Sequence, residues 1–329
     1  MVTATHRNEW CGGLFSYSDH VQVPGAGLAL DPPRRSAFAA VSHGHTDHIA
    51  RHEAGIATVA TRALVARRLG VCRLAPLEYG EAIERNGHRI SLEPAGHVLG
   101  AAQVVVDAPD GRRLVYTGDF SVRPRQTVRP AMPIRADVLI MECTFGLPRY
   151  VFPSDDEIRE QIRAFIDRTI AESATPILLA YALGKAQEAM ALVSGMGYPV
   201  RVHPTVAALA DVYRQFGVEL GPYSVFGGDV APGQVLIAPP SARGIKLPRR
   251  CRTLYLSGWA VDRSTKYRLG LDEAIPLSDH ADFSELVEFV AESRPARVYT
   301  THGPSEFADH LRRLGFNAEH LGTHQPSLF

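Results

Sequence analysis

The stretch Val41-Ser-His-Gly-His-Thr-Asp-His-Ile49 constrains this chain more than any other, because His43, His45, Asp47 and His48 place four metal-ligand side chains within six positions. The preceding run, Ala37-Phe-Ala-Ala-Val41, is short and apolar and reads as a buried strand. A helical pattern starts at Ile49, with Thr46 or Asp47 available to cap it, so the spacing predicts a strand-to-helix loop. Alternate side chains of extended backbone share a face, which lets His43 and His45 reach one ion together. Asp47 and His48 follow the turn and suit a second ion a short way off. The bland alternative is a surface loop that happens to be rich in histidine, but this spacing has a direct use in imidazole and carboxylate coordination.

At 329 residues the chain makes one large or two ordinary domains, and 45% hydrophobic residues are enough for a sizeable core. The formal charge is zero, so an anionic partner must be met by a local patch or by bound metal. Cys11, Cys72, Cys143 and Cys251 are widely spaced and form no CxxC pair, which argues against a disulfide framework or a zinc ribbon and fits reduced thiols. Met1-Val-Thr-Ala-Thr-His-Arg7 has no apolar core of a leader, and no apolar run is long enough to span a bilayer. The expectation is a soluble cytoplasmic protein with no membrane partner.

Strand ends then carry ligand-type residues one after another. Leu14 to Leu30 reads as a β-meander that ends at Asp31, which taken alone is a turn residue. Residues 50–70 read as helix, strand (Ile56–Ala60) and helix (Arg62–Leu69), with Gly70 as C-cap. His97 sits among small residues between strands at Arg89–Glu93 and Ala102–Asp107, where metal and backbone can approach closely. Asp119 follows the strand Arg113–Thr117, and Glu142 ends the strand Val138–Met141. From Asp155 to Ala238 helices and strands alternate, as in an α/β unit with a parallel sheet. There, Tyr181-Ala-Leu-Gly-Lys185 leads a strand into a helix and could present N–H groups and a charge to phosphate, or be an ordinary connection. Lys246, Arg249 and Arg250 form a basic spot that reads as a solvated loop. Ser278-Asp-His280-Ala-Asp282 opens another helix, and His302 ends the strand Arg297–Thr301.

Together these residues complete two sites. His43, His45 and His97 with Asp119 make one; Asp47, His48 and His302, with Asp119 as bridge, make the other. Imidazole and carboxylate without thiolate suit two divalent ions, Zn²⁺ first and Mn²⁺ or Fe²⁺ second. A pair of ions about 3.5–4 Å apart lowers the pKa of water and stabilises both oxygens of an in-line displacement at phosphorus.

The His43-x-His45-x-Asp47-His48 signature, with His97 and Asp119, resembles the metallo-β-lactamase superfamily, whose fold is an αββα sandwich. Glu142, His280 in Ser-Asp-His-Ala-Asp and His302 in Thr-His-Gly resemble motifs A, B and C of its nucleic-acid-processing β-CASP branch. The α/β class follows, with residues 1–152 and 275–329 forming the sandwich and 153–274 an inserted β-CASP domain. The runs Thr144-Phe-Gly-Leu-Pro148, Tyr181-Ala-Leu-Gly-Lys-Ala-Gln187, Ala238-Pro-Pro-Ser-Ala242, Ser257-Gly-Trp259 and Leu277-Ser-Asp-His-Ala-Asp282 are similar to bacterial DNA-ligase-associated exonucleases. The likeness covers nearly the whole chain and is thinnest before Asp31.

That resemblance implies that Asp31 holds the histidine loop without being a ligand, and that His280, oriented by Glu142, protonates the leaving oxygen. Asp47 and Asp119 would serve both as ligands and in catalysis; Lys185 and Ser278 are candidate phosphate contacts. The expected activity is a DNA exonuclease in end processing or repair, with a DNA ligase or helicase as partner. A histidine at motif C, His302, keeps an RNA-processing enzyme in play. A small-molecule hydrolase of the glyoxalase or lactonase type shares the metal ligands but leaves Glu142, His280 and the inserted unit unexplained.

Overall fold

The structure is a computed structural model that describes residues 8–10 (backbone only), 12–242 and 248–322. The basic-spot residue Lys246, Cys11 and the Met1–Arg7 segment lie outside the described residues. Two compact units divide the chain. The first comprises Met1–Arg123, Arg129–Leu147 and Phe283–Phe329, and the second Pro124–Val128 and Pro148–Asp282.

The first unit opens with β1 (Asn8–Trp10), β2 (Phe15–Tyr17), β3 (Val21–Val23), β4 (Leu28–Leu30), β5 (Ala39–Ala40), β6 (Gly55–Thr58), α1 (Val59–Leu69) and β7 (Leu74–Leu77). These strands form one seven-stranded sheet in sequential order. Its first four strands are an antiparallel meander, and β4 to β7 run parallel. The chain continues through β8 (Ala82–Arg85), β9 (His88–Pro94), β10 (Ala102–Asp107), β11 (Arg113–Tyr116) and β12 (Val138–Glu142).

The second unit follows. It contains α2 (Asp155–Ala171), β13 (Thr175–Leu179), α3 (Lys185–Gly195), β14 (Val200–Val202), α4 (Pro204–Gln215), β15 (Tyr223–Val225), β16 (Val235–Ala238), β17 (Cys251–Leu256), α5 (Thr265–Leu269) and β18 (Glu273–Ile275). Its six strands lie in the order β15-β14-β16-β13-β17-β18, and every pair is parallel, as the alternating pattern predicts. The unit extends beyond residues 153–274 at both ends. Tyr150 packs edge-on to Trp259 with ring centroids 5.4 Å apart, and Phe152 N–H donates to Asp282 Oδ2 at 2.9 Å. The short excursion Pro124–Val128 is fixed by the buried Glu188 of α3, which accepts from Gln126 N–H at 3.2 Å and from the Thr127 hydroxyl at 2.7 Å.

The chain then returns to the first unit through α6 (Phe283–Ser293), β19 (Arg297–Thr301), α7 (Glu306–Arg313) and β20 (Ala318–His320). The second sheet of this unit has the order β20-β19-β12-β11-β10-β9-β8. Its inner strand β12 lies parallel to both neighbours and is buried along all its length, which is why Val-Leu-Ile-Met reads as a continuous apolar run. Val138 and Ile140 of β12 join Leu92, Val104 and Leu114 against Leu28, Leu30 and Ile56 of the first sheet. Side chains alternate along a strand, so this set is the layer between the sheets. With α1 against β6 and β7, and α7 against β19 and β20, the result is the αββα sandwich.

Two local expectations fail for physical reasons. No helix starts at Ile49: residues 46–48 make one turn, closed by His48 N–H to His45 O at 3.2 Å, and the chain then descends without regular structure. Glu53 and Ala54 instead pair with the entry to β5, through Glu53 N–H to Ser36 O and Ala39 N–H to Ala54 O. Ile49, the start of the apolar pattern, packs with Val41, Ala57, Val65 and Leu74. The strand expected at Ile56–Ala60 stops at Thr58 because Thr58 accepts from Thr61 N–H at 3.1 Å and caps α1. Among the described residues no helix is long and apolar enough to cross a membrane.

Replacing the fully buried Ile140 by Ala should cost about 2–5 kcal/mol, whereas Val71→Ser at an exposed position should stay within about 0.5 kcal/mol. Equilibrium urea unfolding of the two variants measures both.

Candidate metal centre

Parallel strands leave their C-terminal ends side by side, and the first unit gathers its candidate site residues in the turns that follow them. Asp31 follows β4, His43 to His48 follow β5, Asp119 follows β11, Glu142 closes β12 and His302 follows β19. His97 lies in the turn between β9 and β10. Its entry depends on Gly96 (φ 74), where a Cβ would lie 2.1 Å from Ser121 O.

Asp31 organises the histidine loop. Its Oδ1 accepts from Ser42 N–H at 2.7 Å, and its Oδ2 accepts from the Ser42 hydroxyl at 2.5 Å, His48 Nδ1 at 3.0 Å and the Tyr116 hydroxyl at 3.1 Å. These contacts fix tautomers. Ser42 has one hydroxyl proton and gives it to Asp31, so toward His43 Nδ1, 2.9 Å away, it accepts. His43 therefore carries Nδ1–H and turns the lone pair of Nε2 into the site. A carboxylate only accepts, so His48 is likewise Nδ1–H with Nε2 turned inward. Thr301 repeats the device, donating to Met141 O at 3.4 Å and accepting from His302 Nδ1 at 3.1 Å.

The inward nitrogens crowd together. His45 Nδ1 is 3.1 Å from His43 Nε2 and 2.9 Å from His97 Nε2. Asp119 Oδ2 lies 3.5 Å from His43 Nε2, 3.6 Å from His97 Nε2 and 3.7 Å from His48 Nε2. Four donors bonded to one zinc at about 2.0–2.1 Å would stand about 3.3 Å apart, so this spacing fits a tetrahedral cage. His43, His45, His97 and Asp119 thus form one group able to hold an ion.

On the other side of Asp119, His48 Nε2 is 3.7 Å from Asp47 Oδ2, and the His48 and His302 rings have centroids 5.4 Å apart. Burial by itself depresses the His48 pKa, but Asp119, Asp31 and Asp47 outweigh it and hold it up at about 10. Burial, joined by His48, holds His302 below an ordinary histidine and keeps its lone pair available. Burial raises the Asp47 carboxyl, but His48, His45 and His302 bring it below its ordinary value. Carboxylates facing clustered imidazole nitrogens, with His48 kept protonated by Asp119, Asp31 and Asp47 until a cation takes the place of its Nε2 proton, are the donor set a divalent cation satisfies.

Two ligand-type residues sit on left-handed backbone, Asp31 at φ 43 and His302 at φ 48. Such strain costs about 1–3 kcal/mol and persists where the surroundings over-determine it. Around His302 the constraint is visible: Cys143 N–H bonds Thr301 O at 3.0 Å, Thr144 Oγ1 donates to His302 O at 3.2 Å, and a Cβ on Gly303 would lie 2.0 Å from Cys143 O. Glu142 is buried beside this turn, with Oε2 accepting from Thr144 N–H at 2.7 Å and Oε1 from Phe120 N–H at 3.4 Å.

His280, Lys185 and Ser278 belong to the second unit. The Lys185 ammonium is buried and ion-paired with Asp279, 5.2 Å above the Tyr181 ring. At the start of α3, Gly184 N–H is taken by Gln187 Oε1 and Ala186 N–H by Tyr181 O. Ser278 Oγ accepts from His280 N–H at 3.1 Å and donates to His280 O at 3.2 Å, so its hydroxyl shapes the turn that carries His280. Ser42, Tyr116 and Thr301 are the site residues that sequence reading passes over; their only signal is a hydroxyl next to, or in register with, a ligand.

Residues 273–324 match the family model "Zn-dependent metallo-hydrolase RNA specificity domain". The chain is 38% identical over 314 residues to a probable DNA ligase of Opitutus terrae, covering 93% of this chain and 31% of that protein. It is 31% identical over 145 residues to an uncharacterized protein in the lig 3′ region of Acidianus ambivalens, covering 43% of this chain and 99% of that protein. It is also 31% identical over 126 residues to the ribonuclease TTHA0252 of Thermus thermophilus, covering 38% of this chain and 28% of that protein. Among solved structures, a protein of unknown function from Enterococcus faecalis shares the fold at a TM-score of 0.60 and 13% identity, over 88% of this chain and 79% of that one.

Replacing Asp31 by Asn should free the Ser42 and His48 tautomers and weaken metal binding about 10–100-fold, with the fold retained. Competition with a chromophoric chelator reads this directly.

Proposed function

This chain belongs to the β-CASP branch of the metallo-β-lactamase superfamily, and from that premise we propose that it is a metal-dependent hydrolase of nucleic-acid phosphodiesters, working as a DNA exonuclease in end processing or repair. The observation that carries this reading is the convergence of Nε2 of His43, His48 and His97 on Asp119 Oδ2. His43, His45, His97 and Asp119 would hold one ion; Asp47, His48 and His302, with Asp119, would hold a second. Zn²⁺ fits this donor set first, with Mn²⁺ or Fe²⁺ as alternatives. Bound there, the ions would lower the pKa of water and offset charge on the phosphoryl oxygens.

The chain's own residues do the rest. Asp31, Ser42 and Thr301 hold His48, His43 and His302 with Nε2 turned to the site. Asp47 stays ionised because the neighbouring histidines hold its carboxyl low. The leaving 3′ or 5′ oxygen is a poor leaving group, so a proton donor speeds its departure about 10²–10⁴-fold. We assign that role to His280, with Glu142 orienting it. Lactones and thioesters need no such donor, which separates this enzyme from small-molecule relatives of the fold.

The choice of DNA is supported by likeness over most of the chain to a protein named a probable DNA ligase, and a ligase or helicase is the proposed partner. RNA is the second reading. It is favoured by His302 and by the family description of residues 273–324.

Purified protein with Zn²⁺ or Mn²⁺ should digest end-labelled DNA faster than RNA of the same sequence, and chelation should stop it. Faster RNA digestion would move the enzyme to the second reading, and an Asp119→Ala variant that keeps full activity would overturn the metal assignment. His280→Ala should lose about a hundredfold or more on DNA yet retain hydrolysis of bis(p-nitrophenyl) phosphate, whose leaving group needs no proton. Equal losses on both substrates would remove the acid role.

A further inference from the structure

The charge of the whole chain is zero, but it is not evenly spread. Between Ile49 and Pro76 there are five arginines, Arg51, Arg62, Arg67, Arg68 and Arg73, against a single carboxylate, Glu53. All lie in the first unit, and Arg51, Arg62, Arg67 and Arg73 are exposed. Three of them, Arg51, Arg62 and Arg67, border the outward side of α1. α1 buries Ala60, Thr61, Leu64 and Val65, so its outward face is Arg62, Ala63, Ala66 and Arg67. Arg51 Nη2 donates to Leu69 O at 2.9 Å at the far end of the same helix. Glu53 is met by Arg35, 3.3 Å away, and the nearest acids along the chain, Glu78 and Glu81, follow the opposite end of β7 from Arg73.

Helix stability does not account for this face. Arg67 and Arg68 complement the carbonyl end of α1, but Arg62 lies in its first turn, where a cation opposes the helix dipole and where no acidic residue is present. This side of α1 is also joined to the metal centre at both ends. The Thr58 and Thr61 hydroxyls, one turn and one residue before Arg62, both donate to Gly100 O, at 2.7 and 2.8 Å, in the turn that carries His97. Arg51 is three residues past His48.

We infer that the outward face of α1 with Arg51 is a docking track for the phosphate backbone of a nucleic-acid strand, outside the scissile phosphodiester. The inference rests on the nucleic-acid reading above. Guanidinium groups pair with phosphate oxygens in two-point contacts, and the alanines between them leave a strand room to approach. The eleven-residue helix spans about 16 Å, so only substrates several nucleotides long reach along it. The track adds affinity without sequence preference, and that affinity falls as salt rises.

The test compares the full chain with an Arg62→Glu/Arg67→Glu variant and an Arg62→Lys/Arg67→Lys variant. Substrates are bis(p-nitrophenyl) phosphate, a four-nucleotide strand and a forty-nucleotide strand. The Glu variant should match the parent within about twofold on the two small substrates and raise KM for the long strand about tenfold. Its slope of log kcat/KM against log salt should flatten by about 0.7 per arginine removed. The Lys variant should stay close to the parent. An unchanged KM and salt slope on the long strand would overturn the track, and so would equal losses on all three substrates. Failure of the parent itself to cleave any phosphodiester would instead sink the proposed function.

Discussion

One carboxylate, Asp31, holds the site together. It accepts from the backbone and hydroxyl of Ser42, from His48 and from Tyr116, and so ties β4, the loop after β5 and the end of β11 to a single buried point. Hydrogen bonds to a buried charge are stronger than neutral ones, and four of them offset the cost of placing an anion where water is excluded. The left-handed backbone of Asp31 is sustained by the same contacts. Proton positions at His43 and His48 follow from this carboxylate, so the chemistry of the candidate ligands is set one layer outside them.

Much of the sandwich and of the metal centre was legible in the chain. Continuous apolar runs such as Val138–Met141 announce strands buried on both faces, and a polar ligand type immediately after each run marks the strand end. His43, His45, His97 and Asp119 were named from that pattern, and the fold brings them within a few ångströms of one another. The alternating middle of the chain likewise predicts the all-parallel sheet of the second unit.

What the chain concealed is physical in kind. Ile49 opens an apolar periodicity that looks helical, but its burial against Val41 and Leu74 needs no helix, and the backbone of Glu53 and Ala54 is taken by β5. Short edge strands such as β15, β18 and β20 carry too few residues for a period to show. Lys185 looks like a phosphate ligand until its partner, Asp279, is seen ninety-four positions away in sequence. The tautomer-setting hydroxyls of Ser42 and Thr301 are similarly mute, since serine and threonine are common beside any turn.

The excursion at Pro124–Val128 bears on how this architecture can be dissected. The backbone passes between the units four times, not twice. A fragment spanning only Pro148–Asp282 would lack the five residues that give Glu188 its donors and would leave a buried anion without counterparts. Nicking the chain near Leu147 and Asp282 therefore does not liberate an autonomous module. Modular exchange between relatives must carry that small peptide along, so the insertion behaves as a woven patch and not as a detachable cassette.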